Sequence, residues 1–188
     1  MAHVKNNIVT EGLSGKLGNA IVFRQWGGKT VVAVKPTYQQ REPTEAQQAH
    51  HQKFRQGTRY ARQAIQDPNL KAAYQQRARG GQTAFNMAVA DFMNLPDITE
   101  MDLGVYTGAK GHAITITAED DHLVADVQVA IYDRTGNLLE QGPAELHDNG
   151  IDWIYTTQKA NGQPKGTRLV VQVSDLPGNT TTKEAVLA

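Results

Sequence analysis

A lysine set among glycines is the arrangement that cradles phosphate, and this chain offers it twice. Gly28-Lys29-Thr30 ends like a phosphate-binding loop, but the glycine that opens such a loop would fall at Phe23, and Gly12-Leu-Ser-Gly15-Lys16 is followed by Leu17 where a hydroxyl residue is required. Both fail. Serine occurs only at positions 14 and 174, and Ser14 lies in a glycine turn without the GxSxG elbow that presents a nucleophile for acyl transfer. The chain contains no cysteine, which excludes a thiolate nucleophile, a disulfide framework and cysteine-held zinc.

Metal chemistry has weak carriers. His50 and His51 are adjacent, so on a helix they point about 100° apart, and the positions four residues on are Phe54 and Arg55 instead of further ligands. Glu119-Asp120-Asp121 with Asp126 gathers the hard oxygen ligands that suit Ca²⁺, yet the spacing matches no EF-hand and an acidic loop is ordinarily solvated. Asn179-Thr180-Thr181 matches a glycosylation acceptor by letters alone. The sequence therefore predicts no catalytic residue, no metal site and no cofactor; the protein reads as a non-enzyme.

Charge is more informative. The net charge is zero, but residues 1–95 carry 13 Lys/Arg against 5 Asp/Glu, and residues 96–188 carry 6 against 14. The chain is a charge dipole, which permits electrostatic docking of one half on the other, within a molecule or between neighbours. Lys53, Arg55, Arg59, Arg62, Arg77 and Arg79 make a basic surface interleaved with Tyr60 and Tyr74 that could track a phosphate backbone. Glutamine crowds the same surface and no recognition motif accompanies it, so nucleic acid is the second choice of partner.

The elements that would position these residues fall into three segments. Residues 1–43 form an extended N-terminal clasp and linker: Ile21, Val22 and Phe23 make one β-prone run, Val31, Val32 and Val34 another, and Trp26-Gly27-Gly28 can turn between them. Ile8-Val9-Thr10 could extend a strand, and the prolines of Pro36–Pro43 bracket a linker. A two-stranded hairpin is marginal in water, so the clasp needs cover. Residues 44–96 predict three short helices. Thr44 and Gln47 fit a capping box, Asp67-Pro68 an N-cap with proline in the first turn, and a third helix runs from Thr83 to about Asn94 with Phe85, Ala88, Val89 and Phe92 on one face. In the first helix Ala46, Ala49, Phe54, Gly57, Ala61, Ala64 and Ile65 make a narrow seam, and Gly57 within it implies a close crossing of another backbone.

Residues 97–188 change texture. Alternating runs at Ala113–Thr117, Val124–Tyr132, Leu138–Glu140, Ile151–Thr157 and Leu169–Val173, with a last weak run at Ala185–Leu187, are separated by Asp-, Asn- and Gly-rich turns. The predicted fold class is α+β and multidomain: an N-terminal β-hairpin clasp and short helices, followed by a C-terminal immunoglobulin-like antiparallel β-sandwich without the disulfide.

The stretch GLSGKLGNAIVFRQWGGKTVVAVKP, followed by PTEAQQAHHQKF and then the β-rich tail, resembles a bacterial family of unknown function. Its members combine a serine–glycine–lysine opening, a WxGK turn, a TxAQ helix start and an immunoglobulin-like tail. The resemblance rests on about the first 55 residues by motif, implies the same domain layout, and brings no activity with it. Val34-Lys35 stands where an arginine would be expected.

The expected function is that of a structural subunit that self-assembles into a filament or other homo-oligomer, with Ile21, Val22, Phe23, Trp26, Val31, Val32 and Val34 at the interface. A nucleic-acid-binding protein and a component of a phage-like particle or injection apparatus are the alternatives. The N-terminal stretch lacks a signal-peptide core and no run approaches the roughly 20 apolar residues of a spanning helix. Synthesis in the cytoplasm without a membrane span is expected, with release to the exterior or incorporation into a particle left open.

Overall fold

The computed structural model describes residues 2–4 (as backbone), 8–37 and 42–187. Within these the chain is α+β, with three helices and three antiparallel four-stranded sheets.

The clasp folds as expected at its centre. Strands β3 (Ile21–Trp26) and β4 (Lys29–Val34) pair in register from Ile21↔Val34 to Trp26↔Lys29. Gly27 and Gly28 turn between them with φ of 56° and 74°, the left-handed pair that a two-residue hairpin turn needs. The hairpin is not left as two strands. Strand β1 (Ala2–Val4) pairs with β4 and β2 (Gly15–Leu17) with β3, giving the order β1-β4-β3-β2. Residues 8–10 are a turn instead of a strand. They lead into Gly12 and Leu13, which are held over the sheet: Thr30 Oγ1 accepts from the Gly12 amide (3.1 Å) and from Gln25 Nε2 (2.9 Å), and the same Gln25 nitrogen donates to the Leu13 carbonyl (2.8 Å). Of the linker between the two prolines, residues 38–41 lie outside the described residues.

The helices start where their caps dictate. In α1 (Glu45–Ala64) the Thr44 side chain accepts from the Gln47 amide while the Gln47 side chain accepts from the Thr44 amide. Asp67 caps α2 (Pro68–Arg77) and Thr83 caps α3 (Ala84–Met93). Only the C-terminal half of the α1 seam is covered: Gly57, Ala61 and Ala64 are buried, whereas Ala46 and Ala49 are exposed and Phe54 is 49% exposed. The close approach at Gly57 is real but comes from a side chain, since a Cβ there would stand 3.1 Å from the Phe92 ring of α3. Ala61, Ala64, Tyr74, Ala84, Ala88 and Val89 form the small helical core. No helix among the described residues is long and apolar enough to cross a membrane.

Beyond α3 the chain builds two sheets. One has the order β5-β6-β10-β9, from strands Asp97–Asp102, Ala113–Glu119, Asp152–Thr156 and Glu145–Leu146; the other is β12-β11-β7-β8, from Thr180–Val186, Arg168–Asp175, Val124–Tyr132 and Leu138–Pro143. Alternation decides what is inside. Ile114 and Ile116 face Tyr155 and Trp153 across one ladder, while Val127, Val129 and Ile131 face Val173, Val171 and Leu169 across another, and all ten share one core. Lys183 ties the sheet edges by donating from Nζ to the Ile98 carbonyl at 2.8 Å.

Candidate functional site

The residues expected at an assembly surface divide between the two faces of the N-terminal sheet. Leu17, Ile21 and Val34 lie directly opposite one another on three adjacent strands, so their side chains share a face. Leu17 is 62% and Val34 82% exposed, with Ile21 half-buried between them. Phe23 and Val32 continue this face, half-buried, toward the end covered by Gly12 and Leu13. Val22, Trp26 and Val31 lie on the opposite face. There Val31 is buried by its own chain, which removes it from any assembly surface. Trp26 is 65% exposed, and its indole runs past the loop after α2, with Nε1 3.7 Å from where a Cβ on Gly81 would stand.

The expected basic surface is partly consumed. Lys53 donates from Nζ to the Met93 carbonyl at 2.9 Å and so caps the end of α3. Arg55, Arg59 and Arg62 are exposed and spaced four and three apart along α1, on one side of the helix; Arg77 and Arg79 stand exposed at and beyond the end of α2. His50 and His51 are exposed, with no acidic partner among the described residues. Among the described residues the only ion pair is Arg168–Glu184, between β11 and β12. The basic and acidic halves of the chain are therefore not neutralised against each other by salt bridges within the described residues.

A second constellation, not anticipated from the sequence, lies where the helices meet the two-sheet unit. Tyr74 of α2 donates to Asp91 Oδ2 of α3 at 2.6 Å, with Tyr60 of α1 at 2.9 Å from the same hydroxyl. The Tyr74 ring stacks on His122, centroids 4.2 Å apart. Asp120, just past β6, accepts through Oδ2 from the amides of His122 and Leu123, both at 3.0 Å. Asp175, at the end of β11, is clasped by Asn179: the amide donates to Oδ1 and Nδ2 to Oδ2, each at 2.6 Å. The same Asn179 Nδ2 lies 3.2 Å from the Phe92 carbonyl and 3.1 Å from that of Asn94, at the end of α3. Asn94 donates to Asp121 alongside.

Three carboxylates thus converge, with one oxygen from each of Asp91, Asp120 and Asp175 lying within 4.8 Å of the others. Asp91 is 1% and Asp175 3% exposed, and Asp120 is half-buried. Asp91 Oδ1 and Asp120 Oδ1 have no hydrogen-bond partner, and neither does His122 Nδ1. Burial, reinforced by the charges of Asp120 and Asp175 and by close carboxyl–carboxylate contact with Asp120, pushes the Asp91 carboxyl up to about 7 despite the Tyr74 hydrogen bond. Burial also raises Asp175, against the Asn179 donors, and lowers His122, helped by the charge of Arg77. A cavity of about 260 Å³ opens beside Asp120 and His122, bordered by Arg77, Leu123 and Trp153.

The sequence did hold a signal for this site. Asp91 falls at the third position after Ala88 on the buried stripe of α3, and Asp175 continues the inward register of Leu169, Val171 and Val173. An acid on the apolar side of its element marks a buried carboxylate that needs a partner. Asp126, grouped with Asp120 by proximity in sequence, instead accepts from Gln128.

No family model matches the chain, and no curated protein matches it in sequence. Among solved structures, the crystal structure of an engineered protein is similar at a TM-score of 0.37 and 12% identity, over 60% of this chain and 30% of that one.

Proposed function

We propose that the protein is a non-enzymatic structural subunit that self-associates through its N-terminal sheet into a filament or other ordered homopolymer. The observation that carries this reading is the stripe Leu17–Ile21–Val34, an apolar line across three strands whose two ends stand in solvent. Exposed apolar residues aligned this way are covered in the working state of a protein. A second copy is the occupant that fits, because a chain with 13 basic against 5 acidic residues in one half and 6 against 14 in the other complements itself head to tail.

The immunoglobulin-like assignment belongs to the same proposal. Lettering β5 to β12 as A, B, C, C′, D, E, F and G turns the sheet orders into A-B-E-D and G-F-C-C′, the pairing expected of that sandwich. The sequence resemblance to a bacterial family with such a tail agrees with it.

Light scattering and electron microscopy of the full-length protein at low and high salt test the reading, with Val34→Asp as the partner experiment. Ordered assemblies that Val34→Asp reduces to folded monomers are expected. A wild-type monomer at both salts overturns self-association. The exposed line Arg55–Arg59–Arg62 favours nucleic acid as the second reading; a monomer that binds duplex DNA with affinity falling steeply with salt would establish it.

A further inference from the structure

We propose that Asp91, Asp120 and Asp175 form a binding site for one Ca²⁺ ion that clamps the helical layer to the two-sheet unit. The carboxylates come from α3, the turn after β6 and the end of β11, so an ion held by all three would add to the Tyr74–His122 stack and the Asn179 hydrogen bonds that already join these elements.

Asp91, the most deeply buried of them, is 1% exposed; among the described residues no donor reaches its Oδ1, and its carboxyl group meets that of Asp120 with no cationic side chain between them. Leaving a buried carboxylate oxygen unsatisfied is costly, and charged groups at such depth are paired or bind metals. No Lys or Arg makes an ion pair with any of the three among the described residues.

The other oxygens are arranged as an ion site requires. Tyr74 holds Asp91 by Oδ2 and leaves Oδ1 open; the amides of His122 and Leu123 hold Asp120 by Oδ2 and leave Oδ1 open. Asn179 fixes Asp175 from both its amide and its carboxamide. Donors outside the ligand set thus orient each carboxylate.

The chemistry favours Ca²⁺ over other metals. All three donors are carboxylate oxygens, and a mutual separation of at most 4.8 Å suits Ca–O bonds of about 2.3–2.6 Å. Second carboxylate oxygens and water would complete the six to eight ligands that Ca²⁺ typically takes. Mg²⁺ demands near-octahedral geometry and dehydrates reluctantly, and Zn²⁺ favours nitrogen and sulfur. Half-buried Asp120 borders the cavity beside it, which gives the ion a route from solvent.

The test uses the full-length protein stripped with EDTA. Calorimetric titration with CaCl₂ should give one site per chain. The thermal midpoint should rise by roughly 5–10 °C at a free Ca²⁺ concentration about 100 times the Kd, and by less with MgCl₂. Tb³⁺ in place of Ca²⁺ should show luminescence sensitised through Tyr74, whose hydroxyl touches Asp91. In Asp120→Asn the Ca²⁺-dependent rise should vanish while the midpoint in EDTA stays the same or increases, because one like charge has been removed. Absence of binding heat and of any midpoint shift at millimolar CaCl₂ overturns the proposal, as does a shift that survives intact in both Asp120→Asn and Asp175→Asn. Should the variants not fold, a wild type without sensitised Tb³⁺ luminescence overturns it alone.

Discussion

Tyr74 lies flat against His122, ring planes 24° apart, so that one tyrosine joins the helical core to the sheet unit through its face and to Asp91 through its hydroxyl. Tyr74→Phe keeps the stack and deletes the donation to Asp91 together with the hydroxyl contact to Tyr60. A hydrogen bond to a buried carboxylate is worth about 1.5–3 kcal/mol, and that loss is expected in urea unfolding of the ion-free protein. A change within experimental error would mean that Asp91 finds another donor.

Gly108 is expected to tolerate no side chain. A Cβ there would stand 2.2 Å from the Asn161 carbonyl oxygen, at a φ of 86°, while the Gly108 carbonyl accepts from the Asn161 amide at 2.7 Å. Backbone cannot step aside as a flexible side chain can. Gly111 provides the control, since its φ is 89° but nothing lies within 4 Å of its added Cβ. Gly111→Ala should cost about 1–2 kcal/mol from conformation alone, and Gly108→Ala clearly more. Equal losses in thermal unfolding would show that the Asn161 loop yields.

The residues that punctuate this chain were readable, whereas the meeting of those that act across it was not. Thr44, Asp67, Thr83 and Gly27-Gly28 each govern their immediate neighbours, so local chemistry located the helix starts and the hairpin turn. Strands β6, β7, β10 and β11 announced themselves by alternation. Strand β5 did not, because Asp-Ile-Thr-Glu-Met-Asp is polar and a bulge between Ile98 and Glu100 breaks its period. Strand β12 is a polar edge, Thr-Thr-Thr-Lys-Glu-Ala-Val, and only its pairing with β11 defines it. The three carboxylates belong to separate elements, so sequence proximity pointed from Asp120 to Asp126 and away from Asp91 and Asp175.

Alkaline pH should find Tyr155. Its hydroxyl is buried without a well-formed hydrogen bond, and burial followed by the charge and side-chain contact of Glu140 pushes the phenol up to about 12. The fold thus favours the neutral form. Its contribution is intact below the ordinary tyrosine value near 10 and is lost as pH rises from there through about 12. Tyr155→Phe removes an unsatisfied hydroxyl, so it should leave stability at pH 7 unchanged or raise it by up to about 1 kcal/mol, and flatten the decline above pH 10. An equally steep decline in the variant would assign it to other groups.

Asn179 links the end of α3 to the turn between β11 and β12, a contact spanning 85 to 88 residues. On a ribosome adding about 5–20 residues per second, roughly 4–17 s separate the emergence of α3 from that of the side chain that caps it. For nearly all of that interval Asp91 is made but Asp175 is not. The donors that Asn179 supplies to the end of α3 therefore wait for the β11–β12 turn, so this junction is completed only after the strands between them have been made.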